Sequence, residues 1–315
     1  MKLFYWLLVL FIFVLKTAAQ PGPLIIQTKN TRTLVPEGIA VDKKTGDIYV
    51  TSIAEQKIIV IKKDGSHQNF IAPRAAGFGQ GLGIKVDEKR NLVWAVSNKQ
   101  EDKWFISQAH AFDKASGKTK YHFSIKDTIN HFFNDLVPDD KGNTYITATN
   151  SGRLFYANVK TSKVNLFLSD SLLLYPNGIE LQNNKLYIAT YSNGLLVYDI
   201  EQKRLAKLEG YSNKTYAYNL DGIGFYKNSL FGIYNTDSLN SNNAIIEYKL
   251  NENGSLVVQE KIVQAGHPLF REPTTLAIAH NKMYVLANSH LAVYNANKES
   301  VKGVEKDLTS ATVLL

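Results

Sequence analysis

Apolar residues along this chain come in short runs separated by polar turns, and the pattern repeats. Each unit has a small polar opening, a glycine or substitute, an apolar alternation, a turn and a second apolar run. The units read PEGIAVDKKTGDIYVTS from Pro36, GLGIKVDEKRNLVWAVS from Gly81, FNDLVPDDKGNTYITAT from Phe133, PNGIELQNNKLYIATYS from Pro176, LDGIGFYKNSLFGIYNT from Leu220 and PTTLAIAHNKMYVLANS from Pro273. Their starts are 45, 52, 43, 44 and 53 residues apart. Two strands around a turn account for each unit. A third strand-like stretch follows most of them (KIIVIKK, RLFYANV, GLLVYDI, AIIEYKL, HLAVYNA), then a weaker fourth (HQNFIA, VNLFLS, RLAKLE, VVQEKIV). Four strands per repeat at this period predict an all-β fold, a six-bladed β-propeller with four-stranded blades. PLIIQTKNTRTLV before Pro36 and LTSATVLL at the end are also strand-like, so the two ends are expected to complete the last blade together.

The first residues, MKLFYWLLVLFIFVLKTAAQ, break this pattern. A lysine, an unbroken apolar stretch from Leu3 to Leu15 and small residues ending at Ala19 are the marks of a secretory signal peptide. Residues 1–19 are therefore expected to be removed, leaving residues 20–315 as one propeller domain that is secreted or periplasmic. An uncleaved anchor is the alternative. The chain has 315 residues and no Cys, so disulfides, thiolate zinc sites, a cysteine nucleophile and lipid attachment behind the signal are excluded. The net charge of +8 falls to +6 without Lys2 and Lys16. Basic and acidic residues are interspersed, which argues against a nucleic-acid surface. After signal cleavage no membrane partner is expected.

Stacking the repeats on Ile39, Ile84, Leu136, Ile179, Ile223 and Leu276 aligns the residues two places earlier: Glu37, Leu82, Asn134, Asn177, Asp221 and Thr274. In a propeller, equivalent positions on the innermost strands converge on the central channel. Four of the six carry side-chain carboxylate or carboxamide oxygens, and none is Lys, Arg or His. Asn-Gly and Asp-Gly pairs are common turn chemistry, but four oxygen donors at one register fit a hard cation. Ca²⁺ takes about 6–8 oxygens, so Glu37, Asn134, Asn177 and Asp221 would leave room for water and a substrate oxygen. Mg²⁺ or Mn²⁺ could use the same set.

These motifs, above all PEGIAVD, FFNDLV, PNGIE and LDGIGF, resemble the SMP-30/gluconolactonase/LRE-like family of six-bladed calcium propellers. More distantly they are similar to diisopropyl fluorophosphatases and paraoxonases. The resemblance implies that Glu37, Asn177 and Asp221 bind the metal. It implies that Asn134 is either a further ligand or a substrate contact. It also departs from the family twice. Phe132 stands where the sugar-lactonase branch commonly has arginine, and Leu82 stands where paraoxonases have histidine.

The activity implied is metal-assisted opening of a lactone or related ester, with Asp221 as the catalytic carboxylate, either activating water or attacking directly. The other reading is a non-catalytic binding module with a structural Ca²⁺. His131 and Phe132 are candidate substrate contacts beside Asn134. Phe133, Tyr175 and Trp104 are candidate pocket walls, and Asp135 is a candidate support. His110 and His122 read as structural strand residues. GFGQGLG from Gly77 leads into a strand rather than a helix, so it lacks the context of a phosphate loop. Asn213 and Asn253 fit the glycosylation pattern.

Overall fold

The computed structural model describes residues 25–27, 31–210, 216, 218–236, 242–303 and 312–314. The expected signal segment, the Asn213 sequon and most of the 236–243 loop lie outside them. Among the described residues no helix is long and apolar enough to cross a membrane.

After a short first strand, β1 (Ile25–Gln27), the chain folds into successive four-stranded antiparallel meanders. The first is β2 (Pro36–Val41), β3 (Ile48–Ser52), β4 (Ile58–Ile61) and β5 (His67–Ile71). The second is β6 (Gln80–Asp87), β7 (Leu92–Glu101), β8 (Trp104–Asp113) and β9 (Thr119–Asp127). The third is β10 (Phe133–Pro138), β11 (Thr144–Ala148), β12 (Arg153–Asn158) and β13 (Lys163–Ser169). The fourth is β14 (Pro176–Gln182), β15 (Lys185–Thr190), β16 (Gly194–Asp199) and β17 (Arg204–Lys207). The fifth is β18 (Leu220–Tyr226), β19 (Ser229–Tyr234), β20 (Ala244–Leu250) and β21 (Val257–Ala265). These are five propeller blades of consecutive strands.

A further four-stranded sheet is composite. Its order is β22 (Leu276–Ala279), β23 (Lys282–Leu286), β24 (Thr312–Leu314) and β1. The stretch HLAVYNA, expected as its third strand, instead forms the helix α1 (Leu291–Ala296). Its Leu291 and Tyr294, three apart and so on one helix face, pack on Val35 and Ile53. Both Glu272 carboxylate oxygens accept the Ala292 N–H in the first turn, the charge a helix N-terminus favours. An apolar alternation that suits a strand also supplies this short stripe, and the cap decides for the helix.

Each innermost strand packs on the next: β2 on β6, β6 on β10, β10 on β14, β14 on β18, β18 on β22, and β22 back on β2. Apolar clusters fill the gaps between neighbouring sheets. Trp94 is fully buried between sheets two and three, stacked near Tyr121 and Phe123. Burying a side chain of this size contributes upwards of about 2 kcal/mol. β2, β3 and β4 are buried throughout, whereas β5 and β13 face solvent along much of their length. That gradient explains why the fourth stretch of each repeat reads weakly. Asn183–Asn184, Lys227–Asn228 and His280–Asn281 are left-handed at both positions, the backbone of the two-residue hairpin turn that matches strand twist.

Candidate functional site

The four oxygen-bearing ring residues sit on β-bulges. Register shifts fall between Pro36 and Ile39, Phe133 and Leu136, Pro176 and Ile179, and Leu220 and Ile223, with a fifth between Gly81 and Ile84. Each places two residues opposite one, which re-aims a side chain. The first of each pair is the ring residue: Glu37, Asn134, Asn177, Asp221 and, in the second sheet, Leu82. The Asn177–Gly178 pair is thus part of a bulged strand. Gly178 is not left-handed; it is needed for approach, because a Cβ there would lie 2.6 Å from Ile223 N and 2.8 Å from Asp221 O.

The residue ahead of four of these strands is left-handed without being glycine: Val35, Phe132, Tyr175 and Asn219, with φ of 44, 56, 54 and 53°. Such positions cost roughly 1–3 kcal/mol and cluster at functional sites. Each kink is held the same way. Its carbonyl accepts the N–H of the residue just past the second strand: Ile53, Thr149, Tyr191 and Asn235 respectively.

Threonines tie the ring together. Thr51, opposite the first bulge, accepts from Gly38 N at 2.8 Å and donates to Leu82 O at 2.6 Å. Thr147, opposite the third, accepts from Asp135 N at 2.9 Å and donates to Asn177 O at 2.6 Å. Thr274, the sixth ring residue, donates to Glu37 O at 2.9 Å. Each clip joins one sheet to the next directly beneath the ring side chains.

Glu37, Asn134, Asn177 and Asp221 together line a central void of about 10 Å³, the size of one water. The same four form the floor of a pocket of about 320 Å³ above it. All four are at least nine-tenths buried. Two buried carboxylates facing one void are costly to keep ionised; Lys85 also lines that void, with its ammonium 2.7 Å from Glu180. Among the described residues no Lys, Arg or His lines the upper pocket. No group of three or more His, Asp or Glu side chains among them could hold a metal. The donor set is two carboxylates plus two carboxamides, hard oxygens that fit Ca²⁺ or a similar cation.

Asp221 is oriented from two sides. The Tyr191 hydroxyl donates to its Oδ2 at 2.9 Å, and the Asn235 amide donates to the same oxygen at 3.3 Å. Lys85 and Asp135 both line the void, and Lys85 lies 2.7 Å from Glu180 and 4.0 Å from Asp135. Burial opposes the Lys85 charge, but these two carboxylates hold its ammonium above the ordinary lysine range. Burial pushes both carboxyls up, against the pull of Lys85. Asp135 Oδ2 also accepts from Ile179 N at 3.1 Å. The support expected of Asp135 is therefore a bridge from the Asn134 strand to the Asn177 strand.

A model of the SMP-30/gluconolactonase/LRE-like region matches residues 35–225. The chain belongs to the SMP-30/gluconolactonase/LRE-like family. No curated protein matches it in sequence. Among solved structures, virginiamycin B lyase from Staphylococcus aureus is similar at 16% identity and a TM-score of 0.60, with 84% of this chain and 81% of that one covered. A gluconolactonase from Xanthomonas campestris is similar at 9% and 0.58, with 94% and 95% covered. A luciferin-regenerating enzyme is similar at 14% and 0.59, with 93% and 94% covered. At these identities the likeness concerns the fold.

Within this SMP-30/gluconolactonase-type propeller, Phe132 and Leu82 both line the upper pocket. His131, a candidate substrate contact, lines neither the void nor the pocket. The left-handed turn at Phe132 separates the two side chains. The His131 ring packs edge-on against Phe155, and its Nε2 lies 3.2 Å from Asp127 Oδ2. Phe133 is core, Tyr175 is exposed, and Trp104 lies beside the Lys103 and Lys126 ammonium groups; none of the three lines the pocket. His110 is fully buried in β8, stacked on His122 at 4.7 Å. Gln80 of the GFGQGLG stretch begins β6 and reaches the pocket wall. Asn253 is exposed on a turn after β20. Sequence reasoning missed Tyr191, Asn235 and Glu272. Their only signal is position: Tyr191 and Asn235 follow the second strand of their repeats, as Ile53 and Thr149 do, while Glu272 precedes the sixth opening.

Proposed function

We propose that this is an exported, metal-dependent hydrolase that opens a lactone or related ester at the channel ring. The carrying observation is that Glu37, Asn134, Asn177 and Asp221 share one ion-sized void, which Lys85 also lines, and that the same four line a larger pocket in which no described Lys, Arg or His takes part. The family supports a small-molecule substrate. The composite sheet is read as the sixth blade, since β22 packs on both β18 and β2.

In this reading Glu37, Asn134, Asn177 and Asp221 hold a divalent cation, Ca²⁺ by preference. When bound, the cation supplies Lewis-acid polarisation of a carbonyl oxygen and a lowered pKa for water. Glu37 is an anionic ligand only, and the neutral Asn134 and Asn177 add no further negative charge, so a divalent cation is balanced by Glu37 and Asp221. Asp221 takes the proton from the attacking water as the new C–O bond forms, and returns it to the departing ester oxygen as the old C–O bond breaks. Tyr191 and Asn235 fix the carboxylate for that transfer. Phe132 and Asn134 contact the substrate.

The test is a panel of chromogenic lactones and aryl esters, assayed with and without EDTA, alongside Asp221→Asn. Turnover that EDTA abolishes, Ca²⁺ restores and Asp221→Asn lacks is the expected result. Full activity in Asp221→Asn would sink the assignment. EDTA-resistant turnover would count against the metal-dependent reading, and no turnover on any substrate points instead to a propeller that only binds.

A further inference from the structure

A lysine divides the central channel. Lys85, on β6 of the second sheet, lines the ring void of about 10 Å³. It also lines a lower pocket of about 380 Å³ among the turns at the far ends of β2, β6 and β10. Its ammonium lies 2.7 Å from Glu180 on β14 and 4.0 Å from Asp135 on β10. Asp135 lines the void and Glu180 lines the lower pocket, so the three charges stand in the wall between the two spaces. Three consecutive sheets meet at this one positive charge. The backbone is shaped for it: a Cβ on Gly83 would stand 2.4 Å from Asp135 Oδ1, and its absence lets that carboxylate close on β6. Asp135 is buried and is held from the other side by Ile179 N at 3.1 Å. Glu180 is half-buried.

Two carboxylates that converge from separate strands away from bulk water need a cation between them. A divalent ion takes oxygens of this kind and completes its shell with water, for which the void and the lower pocket both leave room. A lysine ammonium has three donors on a flexible stem. It meets the same two carboxylates with a charge that cannot dissociate from the chain. Lys43 also lines the lower pocket, but its pull on Glu180 is weaker than that of Lys85.

We infer that Lys85 is a tethered cation filling a second cation position of the channel, between Asp135 and Glu180, so that only the ring exchanges an ion. Asp135 follows Asn134 directly, and Glu180 lies three residues after Asn177. The frame beneath both carboxamides therefore keeps its shape when calcium is withdrawn, and calcium concentration controls the occupancy of the ring rather than the fold. Exchange at the ring rests on the hydrolase reading; the role of Lys85 does not, and it is measured separately. Lys85→Met removes the charge and keeps an unbranched apolar stem. Calcium is titrated calorimetrically into two EDTA-treated proteins, Glu37→Gln/Asp221→Asn and the same double variant carrying Lys85→Met. The added substitution is expected to raise the stoichiometry by one ion, and Glu180→Gln on top of it to abolish that ion. In EDTA, Lys85→Met alone is expected to melt roughly 5–8 °C below the wild type, and millimolar CaCl₂ to close most of that gap.

An unchanged stoichiometry on adding Lys85→Met overturns the inference, as does an extra ion that survives Glu180→Gln or a melting gap that calcium leaves open. A Lys85→Met protein that fails to fold even with calcium overturns it too, because a divalent ion then does not replace the ammonium. Calcium binding by the Glu37→Gln/Asp221→Asn protein itself counts against the ring alone, and the increment from Lys85→Met still decides the role of the lysine.

Discussion

The Tyr191 hydroxyl lies 2.9 Å from Asp221 Oδ2, and it reaches that carboxylate from the neighbouring sheet. The contact is made possible by two backbone kinks. Asp221 is aimed inward by the bulge between Leu220 and Ile223. Tyr191 is anchored through its N–H to the carbonyl of the left-handed Tyr175. Hydrogen bonds to a charged group contribute about 1.5–3 kcal/mol. Tyr191→Phe keeps the ring and removes only the donor. A fall in kcat of roughly 10- to 100-fold, with KM and melting temperature little changed, is expected from that magnitude. A variant with wild-type kcat would remove Tyr191 from the machinery.

Gly178 tests whether the ring depends on close strand approach. Its missing Cβ would stand 2.6 Å from Ile223 N, so Gly178→Ala must push β14 away from β18. Overpacking of this kind costs about 1–3 kcal/mol, and because it separates Asn177 from Asp221, Ca²⁺ affinity should fall with stability. Chemical unfolding and calcium titration of the same sample check both. Loss of stability with unchanged affinity would show that the ring tolerates the shift.

Acid stability should be set partly by His110, far from the ring. Burial pushes its imidazole down to about 3, with His122 and Lys99 adding to the effect. The unfolded chain takes up that proton near pH 6.5, and the folded protein does not until about pH 3. Stability is therefore fully present above about pH 6.5 and is lost as pH falls towards 3, by up to about 1.4 kcal/mol per pH unit. Asp42 acts lower down. Burial alone would raise its carboxyl, but Lys114 and the backbone N–H groups of Lys44 and Thr45 bring it to about 2. Its contribution is present above about pH 4 and is lost between about pH 4 and 2. Urea midpoints measured from pH 7 to 4 in EDTA should slope downward in the wild type and flatten in His110→Gln. Parallel curves would contradict the assignment.

The repeat was legible in the sequence because every innermost strand carries the same opening, and four of six openings end in oxygen donors. Glu37, Asn134, Asn177 and Asp221 share one void because a common bulge repeats with the motif. The pocket walls were not legible in the same way. Ile53, Thr149, Tyr191 and Asn235 hold one structural position but have four chemistries, so no residue pattern marks them. HLAVYNA misled because its apolar run Leu291–Tyr294 suits a strand, whereas the first-turn N–H groups are met by Ser289 Oγ and by Glu272, eighteen residues before His290. His131 and Phe132 are adjacent in sequence but face different surroundings, since a left-handed residue lies at that step.

The most direct test of the ring is a calorimetric titration of EDTA-treated protein with CaCl₂, comparing the wild type with the double variant Glu37→Gln/Asp221→Asn. The account predicts saturable binding in the wild type and its loss in a double variant that still melts cooperatively. Undiminished binding in the double variant, or no binding by the wild type at millimolar calcium, would contradict it.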